Sequence, residues 1–339
     1  MKKYDVAIVG ATGAVGEALL SILEERDFPV GTIYPLASER SAGKTIMFNN
    51  KPVMVTDLSE FDFSKAQIGL FSAGGSVSAE FAPKAAEAGC VVIDNTSHFR
   101  YEDDIPLVIP EVNAAAIAQY TNRNIIANPN CSTIQMLVAL KPIHDAVGIK
   151  RISVATYQAV SGAGTSGIEE LAMQTGELLN GRDAKCSAFT RQIAFNALPQ
   201  IDVFLENGYT KEEMKMVWET QKIFDDESIM VSATCVRIPV FYGHSEAVQI
   251  ETKKAISEQE VRDLLDKAPG VLVMDERKDG VYPTAVHESA GQDAVFVGRI
   301  RQDISFPNGM NLWVVSDNVR KGAALNSVQI AEELIKSYL

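Results

Sequence analysis

The chain has no apolar run approaching the roughly 18 residues that a bilayer span needs, so no membrane association is expected. Its start, Met1-Lys2-Lys3-Tyr4-Asp5, leads straight into a strand pattern. That start lacks the apolar core and small-residue cleavage site of a signal peptide, so a cytoplasmic protein is expected. Cysteine and histidine are both scarce, at four residues each. Cys90, Cys131, Cys186 and Cys235 contain no CxxC pair, and His98, His144, His244 and His287 are scattered singly. Without metal-ligand spacing no metal site is expected, and the thiols should stay reduced in a cytosolic setting. Positive charge is also short: 31 Lys and Arg stand against 44 Asp and Glu, a net charge of -13. Non-specific nucleic-acid binding requires a basic face and is not expected. An anionic ligand would have to be met by a few basic residues placed against the global field. Internal repeats and low-complexity tracts are lacking too.

What is present fits a globular chain of more than one core. At 339 residues the length exceeds the usual ceiling for one hydrophobic core, so two domains are expected. In residues 1–130 short apolar runs (4–9, 32–37, 67–71, 90–94, 124–127) alternate with helical patterns at 14–26 and 76–88. This alternation implies βαβ units and a parallel sheet covered on both faces. From Arg151 the runs lengthen and often alternate apolar with polar (151–160, 229–240, 247–252, 294–304, 311–316), as in a half-exposed sheet. The expected fold class is α/β, a Rossmann-like N-terminal parallel sheet followed by a mixed α+β domain over 131–317. A terminal helix at about 318–339 is expected to return to the first domain.

Gly10-Ala11-Thr12-Gly13-Ala14-Val15-Gly16 follows the first strand and opens the first helix, the context a dinucleotide fingerprint requires. Glycines let the backbone approach a pyrophosphate, and the helix N-terminus offers free N–H groups to it. The spacing is GxxGxxG, looser than GxGxxG. After the second strand comes Ala37-Ser38-Glu39-Arg40. Ser38 and Arg40 suit a ribose 2′-phosphate, which favours NADP, although Glu39 could face the ribose instead. Ser72-Ala73-Gly74-Gly75 ends a later strand, either as a place for cofactor ribose at Ser72 or as an ordinary glycine turn.

Asn128-Pro129-Asn130-Cys131-Ser132-Thr133 is the most informative segment. It ends a strand, and 134–147 has a helix pattern, which puts Cys131 at or beside a helix N-terminus. The helix dipole there favours the thiolate, the nucleophilic form. The polar, turn-forming neighbours are unlike the core in which an unreactive cysteine usually sits. A cysteine nucleophile beside a nicotinamide cofactor suggests aldehyde chemistry through a thiohemiacetal and a thioester, with histidine as the natural acid/base. Arg237, in an apolar strand, would be costly to bury without an anion. Glu212 and Lys215, at i and i+3, are equally an exposed helix pair from spacing alone. Arg100, among Tyr101-Glu102-Asp103-Asp104, is equally a surface ion pair.

Together with Gly10–Gly16 and the Asn-Pro-Asn-Cys-Ser-Thr run, the segments Tyr157-Gln158-Ala159-Val160-Ser161-Gly162-Ala163-Gly164 and Arg237–Ser245 resemble aspartate-β-semialdehyde dehydrogenases, in order over nearly the whole chain. The resemblance implies phosphate-dependent, reversible conversion of aspartate semialdehyde and NADP to aspartyl-β-phosphate and NADPH. It also implies a homo-oligomer, dimer or tetramer, paired through the second domain. By the same resemblance Cys131 is the nucleophile, His244 the acid/base, and Gln158 the side chain that orients the reacting group. Arg237 holds the substrate carboxylate, Glu212 its ammonium, and Arg100, Asn130 and Lys215 the phosphate. Ser161, Gly162 and Asn318 meet the cofactor. Arg40, Arg100, Lys215 and Arg237 then supply the local positive charge that an otherwise acidic protein needs. The rival readings are an N-acetyl-glutamyl-phosphate reductase, whose uncharged amide would not need Glu212, and a non-catalytic NADP sensor.

Overall fold

A computed structural model describes residues 2–339. The chain forms two compact units: residues up to Asn130 together with Ala323–Leu339, and Cys131–Gly322.

The first unit is built on six parallel strands in the order β5-β2-β1-β6-β7-β8. They are β1 (Tyr4–Val9), β2 (Val30–Ala37), β5 (Thr56–Asp57), β6 (Ile68–Phe71), β7 (Val91–Asp94) and β8 (Ile125–Ala127), while β3 (Thr45–Phe48) and β4 (Lys51–Met54) pair as a separate hairpin. Every residue of β6, β7 and β8 is buried, which is why these strands read as unbroken apolar runs rather than alternating ones. Helix α1 (Ala14–Glu25) buries Leu19, Leu20, Ile22 and Leu23 in the same core as Leu325, Val328, Ala331 and Leu334 of the C-terminal helix, Leu325–Ser337. Burial of one such side chain stabilises by about 1.5–3 kcal/mol. Helix α2 (Gly75–Glu87) and the short α3 (Pro110–Asn113) complete the unit. The β3–β4 hairpin was not legible in the pattern. Its turn residues Asn49 and Asn50 both have positive φ, the signature of a two-residue hairpin turn.

The second unit carries a mixed six-stranded sheet in the order β10-β9-β11-β14-β13-β12, in which β10/β9 and β12/β13 are parallel and the other neighbours antiparallel. Its elements in chain order are α4 (Cys131–Val147), β9 (Ile149–Gln158), α5 (Thr165–Leu179), α6 (Lys211–Phe224), β10 (Met230–Arg237), β11 (His244–Thr252), α7 (Glu258–Leu265), β12 (Val271–Val273), β13 (Val295–Gln302) and β14 (Gly309–Ser316). Helix α4 is buried on nearly all sides from Ser132 to Leu140, and it packs against α6, α7 and the sheet. The strands alternate as a one-sided sheet should. In β11, His244, Glu246, Val248 and Ile250 are buried while Ala247 and Gln249 are exposed. The apolar stretch expected over 229–240 ends as a strand at Arg237, and the next strand starts at His244 rather than 247. Pro239, which has no N–H to give a ladder, and Gly243, at φ +90°, make the turn between them. Among the described residues no helix is long and apolar enough to cross a membrane.

Candidate active site

Three neighbouring strands of the second unit deliver their terminal inward-facing residues to one end of the sheet. Gln158 is the last residue of β9 and Arg237 the last of β10, and the two are register partners. His244 is the first residue of antiparallel β11, whose Ser245 pairs with Tyr157. Cys131 is the first residue of α4, and its Sγ lies 3.2 Å from His244 Nε2.

His244 is completely buried. Its Nδ1 accepts the Ala159 backbone N–H at 3.0 Å, so the ring proton of the neutral imidazole sits on Nε2, facing the sulfur. Burial, and secondly the charge of Arg237, push its pKa down to about 3, so the ring is neutral in this state. Gln135, one turn along α4, donates from Nε2 to the His244 carbonyl at 3.3 Å. The Arg237 guanidinium is buried and donates from Nη1 to Ala159 O at 2.7 Å. Burial lowers its pKa, and Glu212 and Cys131 oppose that, which places a lasting positive charge near the sulfur and favours its anionic form.

The capping box of Thr210 and Glu213 fixes the start of α6. Glu212 and Lys215 are thereby turned into the interior, so the exposed-pair reading fails. Glu212 accepts from Gln158 Nε2 at 3.0 Å and from Lys215 Nζ at 2.9 Å, while Lys215 also reaches Asp202 at 2.9 Å. Burial alone would raise the pKa of Glu212. Lys215, Gln158 and Arg237 outweigh it and bring the value down to about 2. Lys215 is held above its ordinary value by Glu212 and Asp202 in spite of burial. Because ionised Glu212 can only accept, the Gln158 amide is oriented with Nε2 toward it. That nitrogen is also 3.5 Å from His244 Nε2, and Gln158 Oε1 accepts from Thr156 at 2.9 Å.

Asn318 accepts the Gly243 N–H at 2.9 Å and holds Ser161 Oγ at 2.9 Å from its Nδ2. A Cβ at Gly162 would stand 2.7 Å from Arg237 Nη1, and one at Gly322 would stand 2.7 Å from the Cβ of Cys131. Sequence reading missed Gly322 and Gln135. A glycine before a helix and a glutamine inside one carry no signal of what they touch.

The first unit holds the remaining candidates. Gly10 has φ +92°, and a Cβ at Gly16 would lie 2.2 Å from Gly10 O, so both positions require glycine. The N-cap of α1 is Gly13, which offers no capping side chain, so the first-turn N–H groups beside half-buried Thr12, Ala14 and Val15 remain available to an anion. Ser38 and Arg40 are exposed on the turn after β2, with Glu39 exposed between them. Ser72 Oγ donates to Val9 O at 3.2 Å. Arg100 is buried, not on the surface among the acids that follow it. It donates from Nε to Asn128 O at 2.8 Å and from Nη2 to Asn95 O at 3.0 Å. Asn130, also buried, is the last residue of this stretch of the first unit. Cys90 and Cys235 are buried, with burial raising Cys90 to about 12, and Cys186 is exposed.

The family model described as semialdehyde dehydrogenase, NAD binding domain, matches residues 5–120, and that described as semialdehyde dehydrogenase, dimerisation domain, matches residues 140–321. Aspartate-semialdehyde dehydrogenase 2 of Vibrio cholerae is 64% identical over 337 residues, covering 99% of each chain. The chain belongs to the aspartate-semialdehyde dehydrogenase family. The family's enzyme from Aquifex aeolicus is 57% identical over 338 residues, again 99% of each chain. Among solved structures, aspartate semialdehyde dehydrogenase II of Vibrio cholerae complexed with ASA matches at a TM-score of 0.98 and 63% identity over all of both chains. The family's Candida albicans enzyme with NADP matches at a TM-score of 0.77 and 25% identity, covering 98% of this chain and 99% of that one.

Proposed function

We propose that this chain interconverts L-aspartate 4-semialdehyde and L-aspartyl 4-phosphate, using NADP and inorganic phosphate, through a thioester on Cys131. The observation that carries this reading is the Cys131 sulfur 3.2 Å from a neutral, buried His244, beside the charge of Arg237.

The sulfur attacks the aldehyde carbon, the C=O π pair moves to oxygen, and a thiohemiacetal forms. With its proton on Nε2, neutral His244 donates a hydrogen bond to whichever atom carries the negative charge, sulfur before attack and oxygen after it. NADP, held by the glycine loop, would supply the acceptor for the hydride that leaves as the oxygen pair closes back to C=O and the thioester forms, and NADPH would return that hydride in the other direction. Phosphate oxygen then attacks the thioester carbon and the sulfur leaves with its electron pair. Gln158, oriented by Glu212, supports the reacting group.

Arg237 is assigned to the substrate carboxylate, and the full negative charge kept on Glu212 suits an ammonium. Arg100, Asn130 and Lys215 are assigned to phosphate. Lys215 then exchanges part of its contact with Asp202 or Glu212 for the ligand. The glycine loop, from Gly10 through Thr12, Gly13, Ala14 and Val15 to Gly16, takes the pyrophosphate. Ser38 and Arg40 take the 2′-phosphate, and Ser72, Ser161, Gly162 and Asn318 take the nicotinamide half. The chain acts as a homo-oligomer, most simply a dimer, through the residues 140–321 that match a dimerisation domain. It works in the cytoplasm, in aspartate-family amino-acid biosynthesis.

The test is NADP reduction with aspartate semialdehyde, with and without phosphate. A rate that requires phosphate, and falls at least on the order of 10³-fold in Cys131→Ser, is expected. No rate with this substrate, but a rate with the N-acetylated glutamate semialdehyde, would overturn the substrate assignment.

A further inference from the structure

In the first unit, three asparagines form a polarised chain that ends on Arg100. Asn326, on the C-terminal helix, is completely buried. Its Nδ2 donates to the Val108 carbonyl at 3.0 Å and to Asn128 Oδ1 at 2.7 Å. Asn128, also completely buried, donates in turn from Nδ2 to Asn95 Oδ1 at 2.6 Å and to Pro129 O at 3.3 Å. A main-chain carbonyl can only accept, so Val108 fixes which end of the Asn326 amide is the donor. That choice fixes Asn128, and Asn128 fixes Asn95.

The main-chain carbonyls of the last two asparagines both accept from the Arg100 guanidinium, at 2.8 and 3.0 Å. The Arg100 side chain is thus held at two of its nitrogens by a loop pair, residues 95 and 128. These two are locked to each other by their side chains, and Asn326 sets the direction of the lock. Asp94, next to Asn95, is pinned separately by Ser78 and Thr96, at 2.7 and 2.8 Å. The rest of the loop is therefore already tied without Asn326. What the C-terminal helix adds is the orientation of the Asn128–Asn95 pair.

We propose that Asn326 is a positioning residue for Arg100, setting the guanidinium in the pose that receives phosphate. This rests on the reading of Arg100 as a phosphate ligand. It touches neither substrate nor sulfur, so its effect belongs to one KM and not to the chemistry.

Asn326→Asp keeps the size but replaces the donor with a group that faces two acceptors, so the Asn128 amide must reverse and release Asn95. The expected result is an apparent KM for phosphate raised about tenfold. The KM values for aspartate semialdehyde and NADP should stay within twofold of the parent, as should kcat at saturating phosphate. Asn326→Ser, which keeps one donor, should fall between. An unchanged phosphate KM in Asn326→Asp would sink the proposal. So would a parallel loss in every KM and in melting temperature in both variants, since that marks a packing role alone. Arg100→Ala run beside them separates the two levels. If it leaves the phosphate KM unchanged, the reading of Arg100 is wrong and the proposal falls with it. If it raises that KM and Asn326→Asp does not, only the role of Asn326 is refuted.

Discussion

The two sheets of this protein finish in opposite kinds of chemistry. At the carboxyl ends of the parallel strands in the first unit, the groups on offer are mostly main chain. They are the amides of α1 behind Gly10–Gly16, with Ser38 and Arg40 standing exposed beside them. At the ends of β9, β10 and β11 in the second unit, the groups on offer are buried side chains that hold one another: Gln158 on Glu212, Lys215 on Glu212, and His244 against Cys131. The first kind of site is specified by what is missing, a Cβ or a cap. The second is specified by charge compensation, because buried ions survive only when each has a partner. The two should therefore fail differently. The backbone site should yield to added atoms and to loss of one exposed contact, and the side-chain site to displacement of an already crowded cluster.

The largest effect expected in this comparison comes from treating the second site as though it were the first. Gly322→Ala adds a methyl group 2.7 Å from the Cβ of Cys131, so the start of α4 must shift. A displacement of that order costs about 10²-fold in kcat, with the KM for NADP unchanged, by steady-state kinetics. A variant with normal turnover would show that the cluster is not crowded. Next is Arg40→Ala, which removes an exposed charge from the backbone site. The expected outcome is about a tenfold rise in the KM for NADP, equal to about 1.4 kcal/mol, with that for NAD little changed. Equal changes for both cofactors would break the assignment of Arg40 to a 2′-phosphate.

A prediction on stability rather than turnover concerns Glu246, a completely buried acid two residues along β11 from His244. Burial raises its pKa well above the ordinary range, and Gln135 only partly offsets this. Neither carboxyl oxygen has a hydrogen bond of good geometry. Above the ordinary carboxylate pKa the unfolded chain releases a proton that the folded chain retains. The stability then falls with rising pH, by up to about 1.4 kcal/mol per unit, until the folded group itself ionises. Glu246→Gln should remove that slope. Urea unfolding at pH 6 and pH 9 should then show a smaller difference in the variant than in the parent. An equal difference would mean that Glu246 is already ionised when folded.

Much of the first unit was legible because its strands are continuous apolar runs and its glycines sit where a strand meets a helix. Cys131 stood out because turn-forming polar residues surround it at the start of a helix pattern. His244 did not. Nothing local marks a histidine that acquires its meaning from strand register, opposite residues about 86 positions earlier in the chain. The Glu212–Lys215 pair had the spacing of a solvated helix face, and only the packing of α6 turns it inward. Arg100 was ambiguous for the same reason, since its partners are main-chain carbonyls that no sequence pattern records. The family resemblance, rather than spacing, supplied those assignments.

The way β11 begins on His244 has a consequence for folding. Side chains alternate between faces along a strand, so a slip of one residue would send the imidazole to the opposite face and bring Gly243 or Ser245 in its place. A molecule whose central sheet has zipped up one step out of phase is thus inert, however native its helix content. During refolding, the return of turnover would serve as a clock for that last alignment, one that far-ultraviolet spectroscopy alone would not supply.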